Sequence, residues 1–242
     1  KDGTVTGIHV PEGSRSEIAE GGPKPAETKV PEAAKSKSPK STDSDPVRKA
    51  VRRILSAGGT VGLTDGRGLL KLADLPDGAI TPKDADFHNL GNGKVTEADF
   101  SARADLPGLK RSTLFNSGIR GEWLVHLRGQ KELEYINLHV NPVGDAGLPH
   151  LAGLTRLQTL ILAGCGLTDS GLVHLTGLNR LVTLALDYNQ ITDAGLVHLT
   201  GLNSLRTLGL PDCPITDEGL KVLQKITGLS QLNLRNTKVT AK

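Results

Sequence analysis

The sequence predicts an α/β solenoid in which short parallel strands alternate with short helical segments. Leucine recurs every 24 residues, at Leu133, Leu157, Leu181, Leu205 and Leu229. Leucine or isoleucine follows three and five residues after each of these positions, and this period of two is typical of a strand with one buried face. Later in each copy leucines recur at a three-residue spacing, as at Leu196, Leu199 and Leu202, which favours one face of a helical turn.

The connection between successive strands determines how the copies stack. Strands that are joined by returning helices must run parallel, and their crossovers are expected to be right-handed. The strands should therefore line the concave side and the helices the convex side. A single copy cannot bury its leucines alone, so stability must come from stacking on neighbouring copies.

Asparagine and cysteine alternate at the eighth residue after the first four opening leucines, and Thr237 takes this position in the last copy. Asn141 and Asn189 have amides that can both donate to and accept from neighbouring backbone groups. Cys165 and Cys213 occupy the same position two copies apart. Parallel strands are spaced by about 4.8 Å, so these thiols should lie roughly 10 Å apart, beyond the reach of a disulfide. We expect both cysteines to be free.

The chain divides into four expected segments. Residues 1–45 are rich in Pro, Ser and Lys and are expected to be a disordered linker. Residues 46–84 are expected to form an N-terminal cap of one helix and one hairpin, because Asp45-Pro46 is a helix start and Asp65-Gly66 a turn signal. Residues 85–132 contain two degenerate repeats, in which Ser112 replaces a core leucine, and residues 133–242 contain the regular repeats, the last one incomplete.

The composition argues against several classes of partner. The formal net charge of +3 is modest and only 2% of residues are aromatic, which disfavours nucleic-acid binding. No apolar run approaches the roughly 18 residues of a membrane span. The unfinished last repeat leaves Leu232, Leu234 and Val239 at an uncapped edge, where self-association is possible.

The repeated phrases identify a family resemblance. The segments GLTDSGLVHLTGL, ITDAGLVHLTGL and ITDEGLKVL, together with the spaced leucines, resemble bacterial leucine-rich-repeat arrays. Cys165 and Cys213 also make them similar to the cysteine-containing repeats of F-box-type adaptors, although no F-box segment is apparent. The resemblance implies a non-catalytic scaffold that binds a protein partner on its concave surface.

The candidate partner-binding residues are the larger side chains at outward strand positions. Both tyrosines of the chain fall on this surface, and tyrosine is enriched at binding hot spots. The candidates are Tyr135, His139, Ile161, Asp187, Tyr188 and Asp212.

Two columns of polar residues invite a chemical interpretation, but neither predicts catalysis. His126, His150, His174 and His198 recur every 24 residues, yet no acidic or cysteine column completes a metal site. The aspartates at 145, 169, 193 and 217 are better placed to cap helices. We therefore predict no enzyme activity, no metal and no cofactor.

A second function remains open. The chain begins with Lys rather than Met, which indicates a processed or excised piece. The alternative hypothesis is that these residues are a regulatory or targeting segment of a larger signalling or surface enzyme, whose catalytic domain lies outside them.

Overall fold

A computed structural model describes residues 45–86 and 95–240 of the chain. Within them the strands form one sheet, in the order β2-β1-β3-β4-β5-β6-β7-β8-β9. The strands are β1 Thr60–Leu63, β2 Gly68–Leu69, β3 Pro82–Asp86, β4 Arg111–Thr113, β5 Tyr135–Asn137, β6 Thr159–Ile161, β7 Thr183–Ala185, β8 Thr207–Gly209 and β9 Gln231–Asn233. Apart from Asp45, the expected linker lies outside the described residues, as does the segment 87–94 of the degenerate repeats.

Short helices connect the strands. The α-helices are α1 Pro46–Ser56, α2 Glu97–Ser101, α3 Gly144–Gly147, α4 Asp169–Leu172 and α5 Asp217–Leu223. The 3₁₀ segments are Leu72–Asp74, Ala102–Asp105, Gly121–Leu127, Leu148–His150, Val173–Leu175 and Gly195–Leu199.

The N-terminal cap is built onto the end of the sheet. Helix α1 begins where an Asp45 carboxylate oxygen accepts from the Val47 N–H at 3.0 Å, and Pro46 supplies the first helical residue. Strands β1 and β2 form an antiparallel hairpin. Strand β3, which the sequence did not reveal, pairs antiparallel with β1 and parallel with β4. It lies across the expected division between residues 84 and 85, so the cap and the repeats share one sheet.

Strands β4 to β9 form a parallel ladder with a constant register of 24 residues. Tyr135 pairs with Thr159, Thr159 with Thr183, and Thr183 with Thr207. The side chains that alternate with them point inward and are fully buried, as at Leu160, Leu184 and Leu208. The predicted solenoid of parallel strands and short helices is confirmed.

Asparagine side chains join consecutive coils through backbone groups. The Asn189 oxygen accepts from the N–H groups of Cys165 and Leu167, at 3.2 and 3.0 Å. Its nitrogen donates to the carbonyls of Leu162 and Leu186, at 2.9 and 2.8 Å. The Asn189 side chain is buried. Its hydrogen bonds pair backbone groups at this turn that would otherwise be buried without a partner.

The cysteines occupy the same position and bond to the backbone through their thiols. The Cys165 thiol donates to the Leu138 carbonyl at 3.2 Å, and the Cys213 thiol to the Leu186 carbonyl at 3.3 Å. Both cysteines are free and buried, as predicted.

The aspartate column binds the next coil, which corrects its assignment to simple helix capping. Asp169 accepts from the backbone N–H of Thr192 at 2.8 Å and from its hydroxyl at 2.5 Å. The Thr192 hydroxyl in turn accepts from the Ala194 N–H at 3.3 Å. The same carboxylate bonds join Asp145 to Thr168, Asp193 to Thr216 and Asp217 to Thr240. Two of these threonines, Thr168 and Thr216, are the N-cap residues of α4 and α5.

Glycine completes this contact by leaving room for the carboxylate. A Cβ at Gly195 would lie 2.3 Å from an Asp169 carboxylate oxygen. The corresponding distances are 2.4 Å between Gly171 and Asp145 and 2.3 Å between Gly219 and Asp193. The repeated Thr-Asp-x-Gly phrase is therefore one inter-coil unit.

The serine that replaces a core leucine is explained by a buried arginine. Arg103 is 0% exposed, and its guanidinium donates to the Ser112 hydroxyl at 3.4 Å and to the Ala85 carbonyl at 3.2 Å. Its guanidinium carbon also lies 5.2 Å from the centroid of the Phe100 ring. A leucine at position 112 would remove an oxygen that this cation needs.

Strand β9 ends the described ladder. In this part of the chain it pairs only with β8, and Leu232, Leu234 and Val239 are partly buried whereas Leu208 is fully covered. Self-association through this edge stays a prediction. None of the helices in the described ranges is both long and apolar enough to cross a bilayer.

We expect Gly195→Ala to lower the free energy of unfolding by about 1–3 kcal/mol, because the new methyl group displaces the Asp169 carboxylate from Thr192. Denaturant unfolding measures the change. Gly201→Ala is the matched control, since a Cβ there would meet nothing within 4 Å. Equal losses in the two variants would refute the steric account.

Candidate functional site

The surface that we call the strand face consists of outward side chains in four rows, each row recurring every 24 residues. The first row is Arg111, Tyr135, Thr159, Thr183, Thr207 and Gln231, and the second is Thr113, Asn137, Ile161, Ala185, Gly209 and Asn233. The third is Phe115, His139, Ala163, Asp187, Pro211 and Arg235, and the fourth is Asn116, Val140, Gly164, Tyr188, Asp212 and Asn236.

Two side chains from the degenerate coil extend the candidate site at its N-terminal side. The Arg111 guanidinium carbon lies 3.9 Å from the centroid of the Tyr135 ring, which is the geometry of a cation–π contact. The rings of Phe115 and His139 are 5.2 Å apart. Sequence analysis missed both partners because the coil has lost its regular leucines; subtracting 24 from Tyr135 and His139 would have found them.

His139 and Asp187 interact electrostatically from opposite sides of a small residue. Ala163 separates them in the third row and is buried. Burial lowers the pKa of His139, and the charge of Asp187 acts in the opposite direction. Burial also raises the pKa of Asp187, a shift that His139 opposes and Asp212 reinforces.

Asp187 and Asp212 form the acidic part of the face. A Cβ at Gly209 would lie 2.9 Å from an Asp187 carboxylate oxygen. Because glycine has no side chain, the carboxylate can lie against the next coil at this position. Asp212 accepts from the Asn236 amide at 3.1 Å. Asp187 is half-buried, so part of its side chain remains accessible to solvent.

The whole fourth row has left-handed backbone. The φ angles are 56° at Val140, 57° at Tyr188 and 57° at Asp212, with positive values also at Asn116, Gly164 and Asn236. This conformation suits glycine and asparagine and is unfavourable for valine and tyrosine. Tyr188 nevertheless presents a side chain that is 64% exposed, so local backbone preference does not explain its presence.

The structure therefore divides the six candidate residues. His139, Asp187 and Asp212 form one electrostatic group, and Tyr188 adjoins it. Tyr135 contacts Arg111, and Ile161 is half-buried on β6 between these two regions. Three other outward positions, Ala163, Gly209 and Pro211, are buried, so the face is flatter than the sequence pattern suggested.

The histidine column lies on the helical flank. His126 is 3.2 Å from a Glu97 carboxylate oxygen, and His150 is half-buried with a lowered pKa, through burial and then the charge of Arg128. Within residues 45–86 and 95–240 no group of three or more His, Cys, Asp or Glu side chains is arranged to hold a metal ion.

Val140→Asn is expected to raise the free energy of unfolding by about 1 kcal/mol, because asparagine tolerates the left-handed backbone that strains valine. Thermal or denaturant unfolding checks it. Val182→Asn serves as the control at an exposed valine without positive φ and should bring no gain.

Asp187→Asn should lower the pKa of His139 further, since the carboxylate is the group that favours the imidazolium. An NMR titration of the imidazole signals measures the shift. Glu122→Gln removes an exposed acid from the helical flank and should leave the His139 curve unchanged. An unchanged curve in Asp187→Asn would contradict the coupling.

The leucine rich repeat family model matches residues 155–215. No curated protein shows a significant match to the chain.

The solved structures that resemble the chain include the following three. One is an internalin from Listeria monocytogenes, 22% identical over 58% of this chain and 46% of that protein, with a TM-score of 0.42. A second is internalin C2 from the same organism, 20% identical over 81% and 89%, with a TM-score of 0.47. The third is the Arabidopsis receptor kinase HAESA, in complex with the peptide hormone IDA and the co-receptor SERK1, 25% identical over 57% and 24%, with a TM-score of 0.46. The chain thus spans less than half of the first internalin.

The family match covers the central coils, and the 24-residue ladder continues with the same register on both sides of them. Residues 155–215 therefore match the leucine rich repeat family, and the chain has the fold of a leucine-rich-repeat solenoid.

Proposed function

We propose that the chain is a non-catalytic scaffold that binds a protein partner across the strand face. Leucine-rich-repeat domains generally mediate protein–protein interaction. The proposed contact residues are Tyr135, His139, Ile161, Asp187, Tyr188 and Asp212. The observation that carries the proposal is Tyr188, a 64% exposed aromatic side chain on a left-handed backbone.

The solenoid does not need these outward side chains to fold. Its stability comes from the buried leucines and from the Asn and Asp bonds between coils. An exposed tyrosine adds little to that core, and positive φ makes it locally unfavourable. A contact with another molecule would account for the exposed tyrosine, since its side chain combines a large apolar area with a polar hydroxyl group.

The middle of the strand face suits a close approach by another chain. Thr159, Ala163 and Ala185 present little side-chain bulk between the two tyrosines. An extended segment lying there would reach Tyr135 on one side and Tyr188 on the other. The proposal therefore places two anchors around a flat centre.

The cysteines support a non-catalytic function. Burial raises the pKa of the Cys165 thiol to about 12, and burial also raises that of Cys213. A nucleophilic cysteine needs an accessible thiolate near neutral pH. Both thiols instead donate to the backbone of the preceding coil.

A competing surface exists on the helical flank. Val125, Val173 and Val197 are 38%, 43% and 50% exposed and recur at multiples of 24 residues. An exposed apolar row of this kind also has the character of an interaction surface. The experiment must therefore compare the two faces directly.

Tyr135→Ala combined with Tyr188→Ala should reduce partner capture about tenfold or more, since the loss of two anchor side chains removes a large share of binding energy. The immobilised full chain is used for affinity capture from an extract of its source organism, with quantitative mass spectrometry. Partners retained by the unmodified chain and lost by the variant support the strand face.

The matched control is Val173→Ala combined with Val197→Ala, which truncates two exposed side chains on the flank. This variant should retain the same partners. If the valine variant loses them and the tyrosine variant keeps them, the strand-face proposal is wrong. Circular dichroism of both variants establishes that each is folded.

A further inference from the structure

We propose that the partner places an arginine side chain on the strand face, between the carboxylates of Asp187 and Asp212 and against the ring of Tyr188. This inference rests on the proposed function and specifies the chemistry of the partner. The occupant is an extended polypeptide segment that carries the arginine.

The charge of this region is locally uncompensated. Asp212 accepts a hydrogen bond from the neutral Asn236 amide, and no ion pair found within the described ranges includes either Asp187 or Asp212. Burial and the nearby Asp212 both raise the pKa of Asp187. A cation close to the two carboxylates would stabilise their charged forms and so lower the pKa of Asp187.

The other titratable groups of the face do not supply that cation. Burial lowers the pKa of His139, which disfavours its imidazolium form. Arg235 is exposed in the last coil and is not within ion-pair distance of either carboxylate. The chain as a whole carries a net charge of +3, which makes this acidic region a local feature.

The shape of the region favours a planar cation. Gly209 and Pro211 are buried, and the absence of a side chain at Gly209 leaves room for the Asp187 carboxylate. Tyr188 presents an exposed ring. A guanidinium can donate to two carboxylates at once and stack on an aromatic ring, whereas an ammonium is a compact point charge.

The same face already contains one contact of this type. Arg111 lies 3.9 Å from the Tyr135 ring centroid, supplied from within the chain. Tyr188 has no such arginine among its described contacts, and the carboxylates beside it add an attraction that Tyr135 lacks. An arginine from a partner would reproduce the internal contact at the second tyrosine.

The test titrates N-acetyl-arginine methylamide into the uniformly ¹⁵N-labelled full chain. We expect saturable shifts of the backbone amides of Asp187, Tyr188 and Asp212. The neutral analogue N-acetyl-citrulline methylamide should give no such shifts, and N-acetyl-lysine methylamide should bind more weakly. The double variant Asp187→Asn, Asp212→Asn should weaken arginine binding about tenfold or more, because charge-assisted hydrogen bonds to both carboxylates are lost.

Glu122→Gln is the control for charge alone, because it removes an exposed acid from the helical flank; it should leave arginine binding unchanged. Equal binding of the citrulline or lysine analogue, the absence of shifts, or unchanged binding in the double variant would each overturn the arginine inference. The amide spectrum of each variant also reports whether it is folded.

The outcome separates this inference from the proposed function. If tyrosine-dependent capture of a partner persists while the arginine analogue fails to bind, the arginine inference is wrong and the scaffold function stands. If capture is independent of both tyrosines, the proposed function fails, whatever the arginine analogue does.

Discussion

Each coil of this solenoid satisfies polar groups that the neighbouring coil leaves open. Asn189 joins the backbone of its own turn to that of the preceding one, and Asp169 binds Thr192, which precedes the helical segment of the next coil. Buried polar groups are costly unless paired, so these bonds fix the rise from one coil to the next. The leucine core supplies most of the driving force, but the polar bonds select one register.

That register makes the strand face a regular surface. A shift by one residue would exchange inward leucines for outward side chains along every strand, which would expose the core. Because the inward positions and the turns carry the stability, the outward rows are free to vary in size and charge. Tyr188, Asp187 and Asp212 lie on these rows, and the proposed partner contact rests on the exposed ring of Tyr188 and on the two carboxylates.

The fold could be predicted because its signal is repeated. Leu157, Leu181 and Leu205 repeat the same spacing of 24 residues, so one repeat pattern predicts the structure of all the regular coils. The degenerate coil was harder to interpret. Ser112 looks like a defect until Arg103, nine positions earlier, is seen to occupy the core beside it. Such compensation depends on which residues are neighbours in three dimensions, and the repeat pattern of the sequence does not reveal it.

The candidate site was only partly accessible from the sequence. The period of two determined which side chains face outward, because alternation along a strand is a local property of the backbone. Only the tertiary structure showed that Arg111 covers Tyr135, that His139 and Asp187 interact across Ala163, and that Tyr188 has a left-handed backbone. The sequence by itself thus determined the coil and its outward positions, whereas distances between coils, burial and charge coupling were decided by stacking, which joins residues 22 to 27 positions apart.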